Sequence, residues 1–516
     1  MSSQNRPKTF ILSTTSHYGK SIVSIIIGIV LVPMGLHYFG PVRYGIWAVI
    51  SSVIAYLNIS NLGIPTATAV LTAKAFKPFE QWAILRRSLS LLLISSAIVL
   101  STVLAIAHFY PNWVVVLGKI PVDLHKEAAE AATAVAILFL LNLPITIFSA
   151  GFIGFQKFYW ERFYASLTSI AGLFALILAV LLKGNLVTLA LFGGFATLSV
   201  SVVCALHFLF AHPELRQKFS EPIGKEFSSK FIFVSSIRFF IMGIVAIVVW
   251  NTDNLVISHF LGVKAVTPYA VSFKLFTMAF TLFSAISSTL FPMYGKAAAL
   301  NQWDWIQQTY QKATQLLPIM GGLIWIGGVA FAKNIIDLWV GRDAYIGLWT
   351  VFIFGGIGYL LSLALVHSSL LTGINTTKKM VLITGSEAIA NIGISVALVK
   401  PLGTVGVALG TFLAGLLITA WLLPIDVYRQ TSKRVKFNFY FVMRHAFFIL
   451  IPCLIVSISI QHYWQNEISK IFINIIIISI YLILSWQVIS PDLRNLFKST
   501  IAEIYTRIKN LRVLNI

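Results

Sequence analysis

ILRRSLSLLLISSAIVLSTVLAIAHFYPNW, residues 84–113, decides the fold. Arg86 and Arg87 stand on one flank, residues 88–109 hold no charged side chain apart from the titratable His108, and Pro111 and Trp113 mark the other flank. A helix rises about 1.5 Å per residue, so a run of this length crosses a hydrocarbon core roughly 30 Å thick. The pattern recurs at 19–39, 45–71, 130–153, 163–182, 186–210, 232–260, 268–292, 313–332, 347–372, 380–399, 404–427, 446–462 and 471–488, which makes about fourteen spans in all. Composition agrees: hydrophobic residues are 58%, charged residues 11% and mean hydropathy is +0.87. A soluble protein carries about 25% charged residues, so no globular surface could be made from this chain. The polar first twenty residues lead into an apolar run without a small-residue cleavage site, and the spacing predicts a retained first helix rather than a signal peptide.

The formal charge of +21 would suit nucleic acid, but its distribution excludes that class. Arg6, Lys8 and Lys20 precede the first span; Lys74, Lys77, Arg86 and Arg87 follow the second; Lys157 and Arg162 follow the fourth; Arg216, Lys218, Lys225 and Lys230 follow the sixth. Lys296, Lys312, Lys378, Lys379, Arg429, Lys433, Arg434, Lys436, Arg444 and the basic tail continue the same side. About 27 of the 38 basic residues lie there and about 9 in the opposite loops, the asymmetry of a chain whose two termini are cytoplasmic. The tail from Pro491 sets Leu493, Leu496, Phe497, Ile501, Ile504, Ile508 and Leu511 at helical spacing opposite Lys and Arg, as a helix lying on the cytoplasmic leaflet does, so membrane lipids are an expected partner. Cys204 and Cys453 sit in apolar runs without a CxxC pair or histidine cluster, so no metal site and no disulfide is expected. GxSxG, HExxH and a Gly-rich phosphate loop are absent, and the longest loop on the less basic side, Tyr110 to Glu127, offers only Asp123 and His125. The expected function is therefore binding and movement, with no enzyme activity and no cofactor.

Recurrent segments divide the chain. HYFGPVRYGIW at 37–47 matches HFLGVKAVTPYAV at 259–271; GFIGFQKFYWERF from Gly151 matches SLLTGINTTKKMV from Ser369; LLKGNLVTLALFGGFA from Leu181 matches LVKPLGTVGVALGTFLA from Leu398. The reading is a duplicated six-helix unit, and because six is even the two copies run parallel. The predicted domains are an N-terminal lobe at 1–211, a cytoplasmic linker at 212–231, a C-terminal lobe at 232–428, two extra helices at 429–490 and the basic tail at 491–516.

Ionisable side chains inside spans are costly, which makes them the default functional residues. Arg238, Asp253, Lys274 and Glu387 stand out. By residue count Asp253 and Lys274 share a depth of roughly 10 Å from the outer face, and Arg238 and Glu387 share a similar depth from the inner one. Each charge thus has an opposite partner at its level, either as a static pair or as a gate. Lys20, His367 and Asp426 are weaker candidates, and Asn58 and Asn61 can bond a sugar or a neighbouring helix.

HYFGPVRYGIWAVISSVIAYLNISNLGIPTATAV from His37 resembles the opening segment of the polysaccharide transporters in the multidrug/oligosaccharidyl-lipid/polysaccharide exporter superfamily. NTDNLVISHFLG and PYAVSFKL look like that family's seventh and eighth helices, and INTTKKMVLITGSEAIANIGISVALVKPLGTVGVALGT looks like its eleventh and twelfth. One departure is plain: Asn61 stands where the family often has Asp before Leu-Gly. The resemblance implies an all-α polytopic protein with two parallel six-helix repeats in a V around a central cavity and two extra C-terminal helices. It further implies a flippase in the bacterial inner membrane that moves undecaprenyl-diphosphate-linked oligosaccharide, for O-antigen, capsule or exopolysaccharide, to the periplasmic leaflet. A polysaccharide polymerase is the implied partner, and H+ or Na+ the implied coupling ion, with Asp253, Glu387, Asp426 and His367 assigned to gating or ion coupling. Arg238 and Lys274, with Lys20, Asn58 and Asn61, are assigned to the substrate. The alternatives are a multidrug/cation antiporter of the same superfamily and, less compatible with the short loops, a membrane-embedded glycosyltransferase or polymerase.

Overall fold

The computed structural model describes residues 6–75, 77–213, 228–495 and 498–499, with side chains described from residue 19 onward except at 282, 285 and 288. Most of the linker at 212–231 and of the amphipathic tail at 491–516 lies outside these residues. Among the described residues there are helices and no strands. In chain order they are α1 (Arg6–Leu57), α2 (Ile64–Lys74), α3 (Pro78–Phe109), α4 (His125–Asn142), α5 (Thr146–Gly154), α6 (Phe158–Leu181), α7 (Leu186–Ala211) and α8 (Ser229–Leu261). Then follow α9 (Val263–Ala299), α10 (Trp303–Trp339), α11 (Leu348–Gly373), α12 (Lys378–Ala414), α13 (Ala420–Gln430), α14 (Phe439–His445), α15 (Ile451–Tyr463) and α16 (Glu467–Val488).

Among the described residues, eleven helical stretches are long and apolar enough to cross a membrane. Two of them, Gly19–Asn61 with 43 residues and Lys378–Gln430 with 53, are about twice the length one crossing needs. Both fold back on a glycine next to a proline. Gly40 has φ 73° just before Pro41, and Gly403 has φ 61° two residues after Pro401. A side chain would resist that backbone region, and the proline withholds the N–H that would carry the helix through. Counting each as two crossings and adding α9, with 37 residues, gives about fourteen.

The turns after α5 and α11, matched to each other in the sequence, share the left-handed helix cap that also closes α6, α9 and α13. After α5, Phe155 N–H bonds Gly151 O, Gln156 N–H bonds Ile153 O, and Lys157 N–H bonds Phe152 O; after α11, Ile374, Asn375 and Thr376 bond Leu370, Thr372 and Leu371 in the same pattern. Gln156 and Asn375 are both left-handed, at φ 59° and 60°. The glycines of HYFG and HFLG agree in sign as well, at φ 73° and 94°.

Two compact units follow from packing. The first takes the described residues up to Thr281 with Ile336–Ile346 and Thr384–Ala414. The second takes Leu282–Ile335, Gly347–Ile383 and the described residues from Gly415. These units follow contacts between helices, whereas the boundary expected at 212–231 rests on the sequence repeat alone. The first unit is centred on Phe152, Phe208, Tyr164, Ile64 and Leu143. In the second, helices approach closely at small residues: a Cβ on Gly355 would fall 2.2 Å from Trp325, and one on Gly373 would fall 2.5 Å from the Phe291 carbonyl. Lipid tails are as apolar as leucine, so such close contacts, rather than burial from water, hold membrane helices together. Ile98, Phe109, Phe174, Phe210, Phe448 and Phe472 remain exposed, as lipid-facing residues do.

Candidate functional site

Asp253 lies two turns from the end of α8 and is 8% exposed. Its Oδ2 accepts from the Tyr269 hydroxyl of α9 and from the Thr411 hydroxyl of α12 at 3.3 Å. Thr411 is also 3.2 Å from Asn391 Oδ1, which Ser395 Oγ reaches at 3.0 Å; Ser395 Oγ is 3.1 Å from the Val407 carbonyl as well. A hydroxyl has one proton, so Thr411 and Ser395 each have two oxygens to serve and can serve one at a time. Asp253 Oδ1 is buried without a partner among the described residues, and so is Asn391 Nδ2. An Asn amide may be assigned either way round, but the carboxylate oxygen stays bare in both assignments. Three helices thus converge on an oxygen-rich site with one formal negative charge and too few protons, which suits a proton or a small monovalent cation.

Beyond Asp253, the α8–α9 turn is fastened to the N-terminal helices. Lys119 N–H bonds Ser258 O at 3.0 Å, Lys119 Nζ bonds Phe260 O at 2.8 Å, and Thr267 Oγ1 bonds Pro41 O. Asn254 Nδ2 reaches Ser52 Oγ at 3.0 Å, and Tyr56 shares a hydrogen bond with Thr252. Two glycines let the backbones meet: a Cβ on Gly45 would fall 2.0 Å from Val263 O, and one on Gly118 would fall 2.0 Å from Ser258 Oγ. Beside this seam Arg43 makes a bidentate bond to Glu127, at 3.0 and 3.1 Å through Nε and 3.0 Å through Nη2. Glu127 Oε1 also accepts from the Leu186 N–H at 3.0 Å, tying the bend of α1 to α4 and to the start of α7.

The cations assigned from sequence differ in what they meet. Arg238 and Lys274 are exposed and make no ion pair among the described residues. Lys274 lies along α1, its Cε 3.4 Å from where a Gly28 Cβ would stand. Asp253 is bonded to Tyr269 and Thr411 and not to Lys274. Tyr269 and Lys274 are five residues apart on α9, so they point about 140° away from each other, and equal depth does not bring Lys274 to Asp253. Glu387 is half-buried on α12. Lys20 stands 3.9 Å from Glu161. Asn61 Nδ2 bonds Asn58 Oδ1 at 3.0 Å, and Asn61 Oδ1 accepts from the Gly63 N–H at 2.6 Å, so this pair holds the turn between α1 and α2. In the second unit, His367 is buried and shares a 2.7 Å bond with Tyr310, while the buried Asp426 takes Gln430 on Oδ1 and has no partner on Oδ2 among the described residues. Sequence reading missed Tyr269, Asn391, Ser395 and Thr411; Asn391 and Ser395, polar residues at i and i+4 on the stretch before the Gly403 kink, were the signal available.

No protein-family profile matches the chain. A Salmonella typhi protein assigned as an O-antigen transporter is 22% identical over 451 residues, covering 83% of this chain and 98% of the relative. Among solved structures, the lipid II flippase MurJ in an inward closed conformation has a TM-score of 0.69 at 14% identity, covering 92% of this chain and 99% of that one. An inward-facing multidrug resistance MATE transporter of the MOP superfamily has a TM-score of 0.63 at 17% identity, over 80% and 95%. The chain therefore has the fold that MurJ shares with MATE transporters of the MOP superfamily, and along most of its length it is similar to the Salmonella typhi protein assigned as an O-antigen transporter.

Proposed function

We propose that the chain is a flippase for undecaprenyl-diphosphate-linked oligosaccharide in the bacterial inner membrane, moving the headgroup from the cytoplasmic to the periplasmic leaflet. The observation that carries the reading is the pair of exposed, unpaired cations, Arg238 on α8 and Lys274 on α9, inside helices of otherwise apolar character. An unneutralised charge at membrane depth costs several kcal/mol unless water or an anion meets it. A diphosphate supplies that anion, and charge-assisted bonds to it are about twice as strong as neutral ones. The O-antigen transporter relative supports the same substrate class.

In this account both termini are cytoplasmic, and the α8–α9 seam with Lys119, Pro41 and Gly45 is the outer closure. The lipid-linked headgroup enters from the inner side, the seam parts, and the headgroup leaves outward. Asp253 is the ion-coupling residue: a proton or monovalent cation on its bare oxygen neutralises the cluster of α8, α9 and α12 and so changes how those helices hold together. The competing reading, a drug/cation antiporter, draws on Asp253 alone and gives Arg238 and Lys274 no task.

The test is complementation of a strain that lacks the gene. Arg238→Ala and Lys274→Ala are expected to lower surface polysaccharide at normal protein level, with Arg238→Lys and Lys274→Arg recovering part of it. Full polysaccharide in both alanine variants would refute the assignment.

A further inference from the structure

A second cavity, distinct from the seam and from the Asp253 cluster, opens among α2, α5, α6 and α7 within the first unit, with a volume of about 400 Å³. That is within the range of small-ligand sites, which run from about 300 to 1,000 Å³. Its wall combines one carboxylate, Glu161, the ring of Tyr164, and the hydroxyls of Thr66, Ser149 and Ser201.

Each of these groups is available. Serine and threonine in apolar helices ordinarily bond back to a carbonyl one turn earlier, as Thr168, Thr197 and Ser166 do in this unit. Thr66, Ser149 and Ser201 make no such bond and have no other protein partner among the described residues. Among the described residues Glu161 has only two long ion contacts, 3.9 Å to Lys20 and 4.0 Å to Arg162, and accepts no hydrogen bond. Both contacts lie beyond hydrogen-bond reach, so its lone pairs remain open to donors. Tyr164 spends its hydroxyl on His207 Nδ1 at 2.9 Å, which leaves the ring as its contribution to the wall.

A carboxylate that needs donors, three hydroxyls that both give and accept, and an apolar ring match one chemical class, a polyhydroxylated sugar ring with its hydroxyl rim and its C–H face. We infer that this cavity is the sugar-recognition subsite of the transporter, in which Glu161 and the three hydroxyls bind a sugar of the oligosaccharide repeat unit. The inference rests on the flippase reading and deepens it: Arg238 and Lys274 hold the diphosphate, which every such lipid shares, whereas this cavity reads the sugar, which differs between pathways. Glu161 lies at the start of α6, on the side of the chain that carries most of its lysines and arginines, so a headgroup assembled on the cytoplasmic leaflet meets this cavity on entry.

The purified full-length protein in detergent tests this with two probes: the repeat-unit oligosaccharide freed from its lipid, and undecaprenyl diphosphate without sugar. The wild type is expected to bind both. Glu161→Gln, which keeps the side-chain volume, is expected to weaken oligosaccharide binding roughly tenfold or more, the ordinary loss for a bond to a charged group, and Ser149→Ala and Ser201→Ala about threefold each. Binding of undecaprenyl diphosphate is expected to stay unchanged in all three. Should Glu161→Gln fold poorly, Ser201→Cys in a variant lacking Cys204 and Cys453 is expected to lose maleimide labelling when the free oligosaccharide is added. An oligosaccharide affinity unaltered by Glu161→Gln, labelling of Ser201→Cys that oligosaccharide does not slow, or a wild type that binds undecaprenyl diphosphate but not the oligosaccharide would overturn the subsite and leave the flippase reading standing. A wild type that binds neither probe would overturn both, and protection of Ser201→Cys by an amphipathic cation such as ethidium in place of the sugar would assign the cavity to drug transport.

Discussion

Replacing Gly45 by alanine separates helix stability from closure of the seam. Gly45 lies within α1, where an Ala helps the helix by about 0.5–1 kcal/mol. That gain is present whether the seam is closed or open, so it cancels from the balance between the two. The new methyl does not cancel: it would sit 2.0 Å from Val263 O, 2.9 Å from Val263 C and 3.0 Å from Thr267 Oγ1. Carbon and carbonyl oxygen rest at about 3.3 Å or more, so α1 must part from the α8–α9 turn by roughly 1.3 Å, against backbone atoms that have no rotamer to yield. Overpacking of this kind costs about 1–3 kcal/mol, which lowers the closed-to-open ratio by roughly 5- to 150-fold. Ser258, fully buried at the seam, reports the change. In a variant lacking Cys204 and Cys453, Ser258→Cys should resist a membrane-impermeant maleimide added outside, and adding Gly45→Ala should make it reactive while surface polysaccharide falls. Unchanged labelling together with normal polysaccharide would refute the seam as the outer closure.

Other outcomes follow from the same contacts. Asp253→Asn keeps the volume and one acceptor for Tyr269 but removes the charge, and should abolish polysaccharide export while thermal unfolding stays level or rises; normal export would remove Asp253 from ion coupling. Tyr269→Phe leaves Asp253 Oδ2 without its α9 donor and should cost about 1–3 kcal/mol, read as a lower unfolding temperature. The exchanged pair Asp253→Lys with Lys274→Asp should do no better than the worse single variant, because the two side chains face away from each other; recovery of export would show that they meet in another state. Arg43→Lys breaks the bidentate bond to Glu127 and should cost about 1–2 kcal/mol in thermal unfolding, with Glu127→Gln, which keeps an acceptor for the Leu186 N–H, costing less. Equal losses in the two would contradict that division.

The spans were legible because apolar length and loop charge are properties of sequence alone; the turns at 151–157 and 369–376 do share one left-handed cap, but the same cap ends α6, α9 and α13 and so is not particular to a repeat. The kinks at Gly40 and Gly403 were legible only as loops between spans; the helix geometry runs up to each glycine from both sides. Of the site, Asp253 stood out as a lone carboxylate in an apolar run, but its partners did not. Depth along a helix follows from counting residues, whereas azimuth depends on which neighbours pack where, and azimuth gave Asp253 to Tyr269 and Thr411 instead of Lys274. Asn58 and Asn61 looked available because sequence does not reveal that each is used to hold the turn before α2. Glu161 and Glu127 passed unnoticed for the opposite reason, since each falls at a helix start, where acidic residues are ordinary.

The most direct measurement is transbilayer movement in reconstituted vesicles. Undecaprenyl-diphosphate-linked oligosaccharide is placed in one leaflet with the purified protein, and its arrival in the other is followed by a membrane-impermeant reagent that modifies the sugar. The account predicts movement well above that in protein-free vesicles, and its loss in the double variant Arg238→Ala, Lys274→Ala with the protein still folded. Movement no faster than in protein-free vesicles, or movement that survives removal of both cations, would contradict it.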